Sequence, residues 1–319
     1  MPKVSVIVPI YNVEKYIERC LRSLFEQTLD DIEYIFVNDC TPDNSMIILE
    51  KILKEYPHRM KQVKIINHEQ NQGQAGARTS GMKAMSGEYM IHCDPDDWVE
   101  LNMYEIMYQK AAETNADIIS CNISLVYVNS VQVVSKVYLD VNPKESLKKC
   151  LYTASLNDKL IKTDIIFLYN IFPYENINFG EDLNVVIRCF FYANKHFHLN
   201  ISPYYYNKFN ENSISSSLSG YYKFEKYIKS NIEQLCQFLT KNSNEEYQLT
   251  CNYLKFIGKS PLIGKSKKYR IWCNTWTECH RDILKFPLAK KYRLIIYLCS
   301  KSYILLKIYM AYLNYKTSK

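Results

Sequence analysis

Three carboxylates fall within four positions at Asp94, Asp96 and Asp97, directly after the apolar run Tyr89-Met90-Ile91. Acidic groups packed that closely repel one another unless positive charge sits among them, and a divalent cation is the usual remedy. Hard carboxylate oxygens suit Mg²⁺ or Mn²⁺ bridging to a diphosphate. A solvated turn closed by Pro95 would carry the same residues. A second acidic group, Glu181-Asp182 after Gly180, opens an apolar-periodic run reaching Tyr192. Carboxylates in a first helical turn complement the free N–H groups and the dipole, so they serve as caps or, when aimed at a substrate hydroxyl, as a general base.

The elements that must position these groups follow a repeated pattern. Val4 to Val8 is a β-branched run ending at Pro9, with a helical pattern over Glu14 to Gln27. Ile32 to Val37 precedes Asn38-Asp39 and a second helical stretch, and Val63 to Ile66 precedes Asn71-Gln72-Gly73 and a helix containing Arg78. Strand–turn–helix units in tandem imply a parallel sheet with crossover helices. Ligands of open α/β sheets gather outside the carboxyl ends of the strands, which brings Pro9, Tyr11, Asp39, Arg78, Asp94 and Asp96 toward one crevice. Downstream, strands are expected over Asp117 to Cys121 and Ser124 to Val137, with a hairpin near Asn129-Ser130 and a short helix from Pro143 to about Leu151.

Four segments in order, VSVIVPIYNVEKYIERCLRSLFEQT (4–28), IEYIFVNDCTPDNS (32–45), NQGQAGARTSGMKAMSGEYMIHCDPDDW (71–98) and FGEDLNVVIRCF (179–190), resemble a family 2 glycosyltransferase of the GT-A fold. Asn157-Asp158-Lys159-Leu160, and Tyr204 through Ser215, resemble its later segments. The resemblance implies an α/β catalytic domain over residues 1–219, with a mostly parallel Rossmann-like sheet flanked by helices and a C-terminal helical extension over 220–319. It implies an inverting transfer from a nucleotide-sugar donor to a hydroxyl of a glycan or lipid-linked acceptor, in bacterial cell-surface polysaccharide assembly. Asp94 and Asp96 then hold Mn²⁺ or Mg²⁺, and Asp182 is the base with Glu181 as the alternative. Pro9, Tyr11, Asp39, Arg78, Asp94 and Lys159 bind the nucleotide-sugar, Asp39 at the nucleobase. Asp97 supports the metal ligands or caps the next helix, Lys159 contacts the donor or is a solvated lysine, and Trp98 stacks on a sugar or belongs to the core. The sequence departs from the family at Cys40, where glycine is usual, and at Thr79, where asparagine is.

Composition sets further bounds. The chain has 319 residues, 47% apolar, enough for a large core. Pro2-Lys3 leads directly into the first apolar run, so no signal peptide is expected. Eleven cysteines without a C-x-x-C pair read as buried thiols of a reduced, cytoplasmic protein. No glycine-rich dinucleotide fingerprint follows the first strand and no P-loop occurs, which removes dehydrogenase and P-loop readings. A sugar-nucleotide-binding protein without turnover is the non-enzymatic alternative. Residues 220–319 hold 19 Lys and Arg against 6 Asp and Glu, on a chain of net charge +7. That basic region points to an anionic partner. One long helix is expected over Leu288 to Tyr315, interrupted by Lys301 and Lys307 and so unsuited to spanning a bilayer. It either lies on an anionic membrane, making the protein peripheral at the inner face, or packs on its own domain; no nucleic-acid module accompanies the charge.

Overall fold

The computed structural model describes residues 1–134, 142–210, 220–243, 245–263 and 267–317. Asn212 to Ser215, Lys265 and the end of the run expected to reach Val137 lie outside them. The chain divides into two units, Met1–Lys144 with Thr153–Ser213, and Glu145–Tyr152 with Ile214–Lys319. The main division falls between Ser213 and Ile214, a few residues before the expected boundary at residue 219, and residues 145–152 group with the C-terminal unit. The carbonyl of Leu147 accepts from Thr250 Oγ1 at 2.7 Å, and Lys148 pairs with Glu246.

The first unit begins β1 (Val4–Ile10), α1 (Ile17–Phe25), β2 (Ile32–Asn38), α2 (Ser45–Glu55), β3 (Val63–Asn67), α3 (Gly73–Ala84) and β4 (Tyr89–His92). These strands lie in the order β3-β2-β1-β4, all parallel. The chain therefore steps outward from β1 to β3 and then crosses to β4 on the other side of β1, creating a switch point at the β1–β4 carboxyl ends. β1 is buried at every position, as its continuous apolar run requires when both faces are covered. Pro9 does not stop the strand. It lies beyond Ile7, the last β1 residue paired with β4, so its missing N–H breaks no β4 ladder bond.

β5 (Trp98–Val99), α4 (Met103–Thr114), β6 (Ile118–Tyr127), β7 (Ser130–Val134), α5 (Pro143–Lys148), β8 (Lys159–Lys162), α6 (Thr163–Leu168), α7 (Glu181–Tyr192) and β9 (His196–Asn207) follow. The sheet continues β4-β8-β6-β9-β5, with β7 on β6. β8 runs antiparallel to both neighbours, β5 to β9 and β7 to β6, while β6 and β9 are parallel. The parallel pairing read from the sequence thus holds for the N-terminal strands, and the sheet as a whole is mixed. Val6, Val8 and Ile10 of β1 pack in one core with Ile17, Leu21 and Leu24 of α1 and with Met103 and Met107 of α4. On the opposite face α3 comes so close that a Cβ at Gly81 would sit 2.4 Å from Ile7 Cγ2.

The second unit is helical. Gly220–Lys223 passes through a π turn (Phe224–Ile228) into Lys229–Ser243, followed by helices at Gln248–Gly258 and Tyr269–Asn274 and a 3₁₀ segment at Thr277–Lys285. The long terminal helix expected from the sequence is two helices, Lys290–Ser300 and Tyr303–Thr317. No helix among the described residues is long and apolar enough to cross a membrane.

Nine of the eleven cysteines are buried and all are free. Cys40 is exposed and adopts φ +57°, the left-handed conformation that explains why glycine suits this position. Cys40→Gly should relieve strain of about 1 kcal/mol, raising the midpoint of urea unfolding; an unchanged or lower midpoint would show that the turn is not strained.

Candidate active site

Arg78 on α3 is the centre of the site. Its side chain is 2% exposed and reaches three carboxylates: Nη2 meets Asp94 Oδ1 at 3.0 Å, and Nε meets Glu181 Oε1 at 3.2 Å and Asp182 Oδ1 at 3.3 Å. Asp94 follows β4 at the switch point, where the Cys93 N–H donates to the carbonyl of Ile7. Glu181 and Asp182 form the first turn of α7 after Gly180, itself in the left-handed region at φ +80°. One buried guanidinium thus ties the acidic turn to the start of a helix a hundred residues away. Burial alone would lower the Arg78 pKa, but Asp182, Asp94 and Glu181 outweigh it and raise it.

The anionic side is left in excess. Burial pushes Asp182 up to about 8 against the pull of Arg78, and it raises Glu181 likewise. Burial and the neighbouring Asp94 push Asp96 up to about 6. Arg78 Nη1 and Asp182 Oδ1 are buried without a hydrogen bond, the latter being near Nε but misaligned for one. Asp182 retains 23% side-chain exposure against 5% for Glu181, so it is the more accessible of the pair.

Asp96 and Asp97 differ sharply. Asp96 Oδ2 accepts from Asn210 Nδ2 at 2.7 Å, and the Asp96 carbonyl accepts from Asn207 Nδ2. Asp97 is 1% exposed and accepts from the Tyr204 hydroxyl at 2.6 Å and the Asn207 N–H at 2.8 Å. Tyr204 in turn accepts from the Asp94 N–H. Asp97 therefore neither caps α4 nor faces the crevice; it pins the turn to β9.

Several expected donor-binding residues have other occupations. Asp39 lies at the carboxyl end of β2, but its carboxylate is 2% exposed and accepts from the Gln72 and Gly73 N–H groups at 2.8 Å, with His68 Nδ1 2.7 Å from Oδ1. His68 Nε2 bonds Ser80 Oγ, and Asn178 Oδ1 accepts from the Ala75 N–H. Asp39 thereby anchors the N-terminus of α3 and helps to place Arg78. A Cβ at Gly73 (φ +76°) would clash with Asn178 at 2.4 Å, so this junction requires glycine. Lys159 is wholly buried, its Nζ held by Asp158 Oδ1, Thr153 Oγ1 and the Ser155 carbonyl at 2.7–2.8 Å. An ammonium compensated this way is satisfied by its neighbours within the fold. Pro9 is buried in β1, leaving Tyr11, 48% exposed, as the available ring. Trp98 stacks on Tyr205 with the Arg19 guanidinium 3.2 Å from its ring centroid, and is core.

Residues that sequence reading passed over complete the frame. Asp43 accepts from Glu14 N–H, Thr41 Oγ1 and Ser45 Oγ, lacing the β1–α1 loop to the β2–α2 loop. Only its place in the quoted Thr41-Pro42-Asp43-Asn44-Ser45 turn hinted at this. His68 and Asn178 carry no local signal, while Tyr204, Asn207 and Asn210 fall in the quoted 204–215 segment but owe their roles to partners more than a hundred residues away.

The family model described as Glycosyl transferase family 2 matches residues 5–168. The chain belongs to glycosyltransferase family 2. It is 31% identical over 261 residues to EpsH of Bacillus subtilis, assigned as a glycosyltransferase, covering 77% of this chain and 72% of that one. It is 29% identical over 209 residues to the teichoic acid poly(glycerol phosphate) polymerase of Staphylococcus epidermidis, covering 65% of this chain but only 28% of that protein. The crystal structure of S. aureus TarS 1–349 in complex with UDP-GlcNAc superposes with a TM-score of 0.71 at 20% identity, over 99% of this chain and 92% of that one. The likeness to TarS is one of fold.

Enzymes of this family and fold typically use a divalent cation, and among the described residues no three His, Cys, Asp or Glu side chains form a ligand cluster. Two carboxylates, Asp94 and Asp96, in a locally over-acidic turn suit a cation whose other ligands come from a diphosphate.

Because Asp96 has a higher pKa folded than its ordinary 3.8, it stabilises the metal-free protein at low pH and loses that contribution as pH rises toward 6. In EDTA, the melting temperature of Asp96→Asn relative to the unsubstituted protein should therefore climb between about pH 4 and 7; a constant difference would contradict the charge excess. Lys159→Met should cost about 3–5 kcal/mol by stranding Asp158, while nucleotide affinity measured calorimetrically stays unchanged; a selective loss of affinity would restore Lys159 to the donor site.

Proposed function

We propose that the protein transfers a sugar from a nucleotide-sugar to a hydroxyl of a glycan or lipid-linked acceptor with inversion, in assembly of a bacterial cell-surface polysaccharide at the cytoplasmic face of the membrane. The observation that carries this reading is the Arg78 contact with both Asp94 and the Glu181-Asp182 turn. It gathers a cation-suited carboxylate and a base-suited carboxylate at the switch point of the sheet. The names of the teichoic acid polymerase and of TarS with its UDP-GlcNAc support the setting and make UDP-sugars the first donors to test.

In this mechanism Asp94 and Asp96 would hold Mn²⁺ or Mg²⁺, which would supply positive charge for the leaving diphosphate. Tyr11 offers a ring to the nucleobase, within loops held rigid by Asp43. Asp182 takes the proton from the acceptor hydroxyl as its oxygen attacks the anomeric carbon from the face opposite the leaving group. Glu181, held more deeply by Arg78, keeps the guanidinium and the helix in register. Arg78 keeps the two acidic groups from repelling each other apart and holds Asp182 at the crevice.

Asp182→Asn should retain UDP-sugar binding, read as a thermal shift with Mn²⁺, while transfer falls by roughly 10² to 10⁴-fold. Glu181→Gln should chiefly lower stability. If Asp182→Asn transfers normally and Glu181→Gln does not, the two roles are exchanged. Full transfer in excess EDTA would remove the cation from the mechanism.

A further inference from the structure

The two terminal helices of the C-terminal unit carry their apolar residues outward. On Lys290–Ser300, Leu294 and Leu298 are exposed one turn apart, while Cys299 and Ser300 are buried. On Tyr303–Thr317, Ile304, Ile308 and Tyr312 recur every fourth residue and are 54–61% exposed, Leu305 is exposed beside them, and Leu306 is buried. A helix on the surface of a water-soluble protein turns its polar face outward, so this pattern is reversed. The charged residues that accompany it are cationic. Lys290, Lys301 and Lys307 are exposed, Lys301 Nζ lies 5.0 Å from the Tyr297 ring, and the Arg270 guanidinium lies 5.0 Å from the Tyr303 ring. From residue 283 to the end, the sequence contains no Asp or Glu.

We propose that this helical pair is a docking face for an anionic lipid bilayer, with Leu294, Leu298, Ile304, Ile308 and Tyr312 entering the headgroup–acyl boundary and the lysines meeting lipid phosphates. Exposed leucine and isoleucine supply burial, tyrosines suit the interface, and lysine stems let their ammonium groups reach phosphate. At 11 and 15 residues the helices are too short to span and lie in the plane of the interface. A second copy of the chain is a poorer occupant, because this face would bring like charges together with no carboxylate of its own to pair them. The face belongs to the membrane setting proposed above; vesicle binding is read without donor or acceptor, so failed docking and failed transfer are separately visible.

The test is flotation of the full chain with phosphatidylcholine vesicles containing from none to about 40% phosphatidylglycerol, at low salt and at about 0.5 M. Binding should rise with phosphatidylglycerol and weaken with salt. Joint Lys290→Glu, Lys301→Glu and Lys307→Glu substitution should reduce affinity more than 100-fold, at about fivefold for each positive charge lost. Ile304→Asp with Ile308→Asp should abolish flotation with little change in melting temperature, since both sites are exposed. The proposal is overturned if the full chain ignores vesicles at every composition, or if both folded variants float as before. It is equally overturned if sedimentation shows a dimer that Ile304→Asp with Ile308→Asp dissociates.

Discussion

A single buried guanidinium, that of Arg78, ties the two acidic segments of the candidate site together. Three carboxylates drawn to one point would otherwise repel one another in a medium where such repulsion is poorly screened. With Arg78 among them, the turn after β4 and the first turn of α7 share a charge network, although they are separated in sequence by more than eighty residues. The network is left over-acidic, and that residual charge is what suits the site to a cation and a diphosphate rather than to a finished structural ion cluster.

The surrounding structure can be followed outward from that contact. Arg78 is placed because α3 begins where it does, and α3 begins there because Asp39 accepts the Gln72 and Gly73 N–H groups while Asn178 accepts that of Ala75. Asn178 stands just before α7, so the same helix start also guides the approach of Glu181 and Asp182. On the other side, Asp97 and Tyr204 fix the acidic turn to β9, while Asp94 and Asp96 pair with Arg78 and Asn210. Substitutions at Asp39 or Asp97 would thus displace the start of α3 or the acidic turn.

The fold class and the acidic groups were legible in the sequence because both depend on local pattern. Apolar runs ending in polar turns announce the parallel strands, and clustered carboxylates announce their own repulsion. What a side chain faces is not local. Asp39, Lys159 and Pro9 are buried, and burial is decided by strands and loops that meet only in the folded chain. Trp98 lies between Tyr205 and Arg19 for the same reason. Asn178 escaped notice, and the individual roles of Tyr204, Asn207 and Asn210 were not legible in their segment, because an amide or phenol acquires meaning only from a partner about a hundred residues away. The β6–β7 hairpin was expected near Asn129-Ser130, whereas the antiparallel placement of β8 and the break at Lys301-Ser302 were hidden, since neither carries a strong glycine or proline signal.

The central claim is that Arg78, Asp94 and Asp182 form one energetic unit, and a double-mutant cycle tests it most directly. Urea unfolding of Arg78→Met, Asp182→Asn and the double variant, in EDTA at neutral pH, gives the coupling between the two side chains. The account predicts a coupling of roughly 1–3 kcal/mol, with Asp182→Asn partly rescuing Arg78→Met because it removes a carboxylate left without its counter-charge. Additive effects within about 0.5 kcal/mol would show that the two groups are neighbours without being partners, and would contradict it.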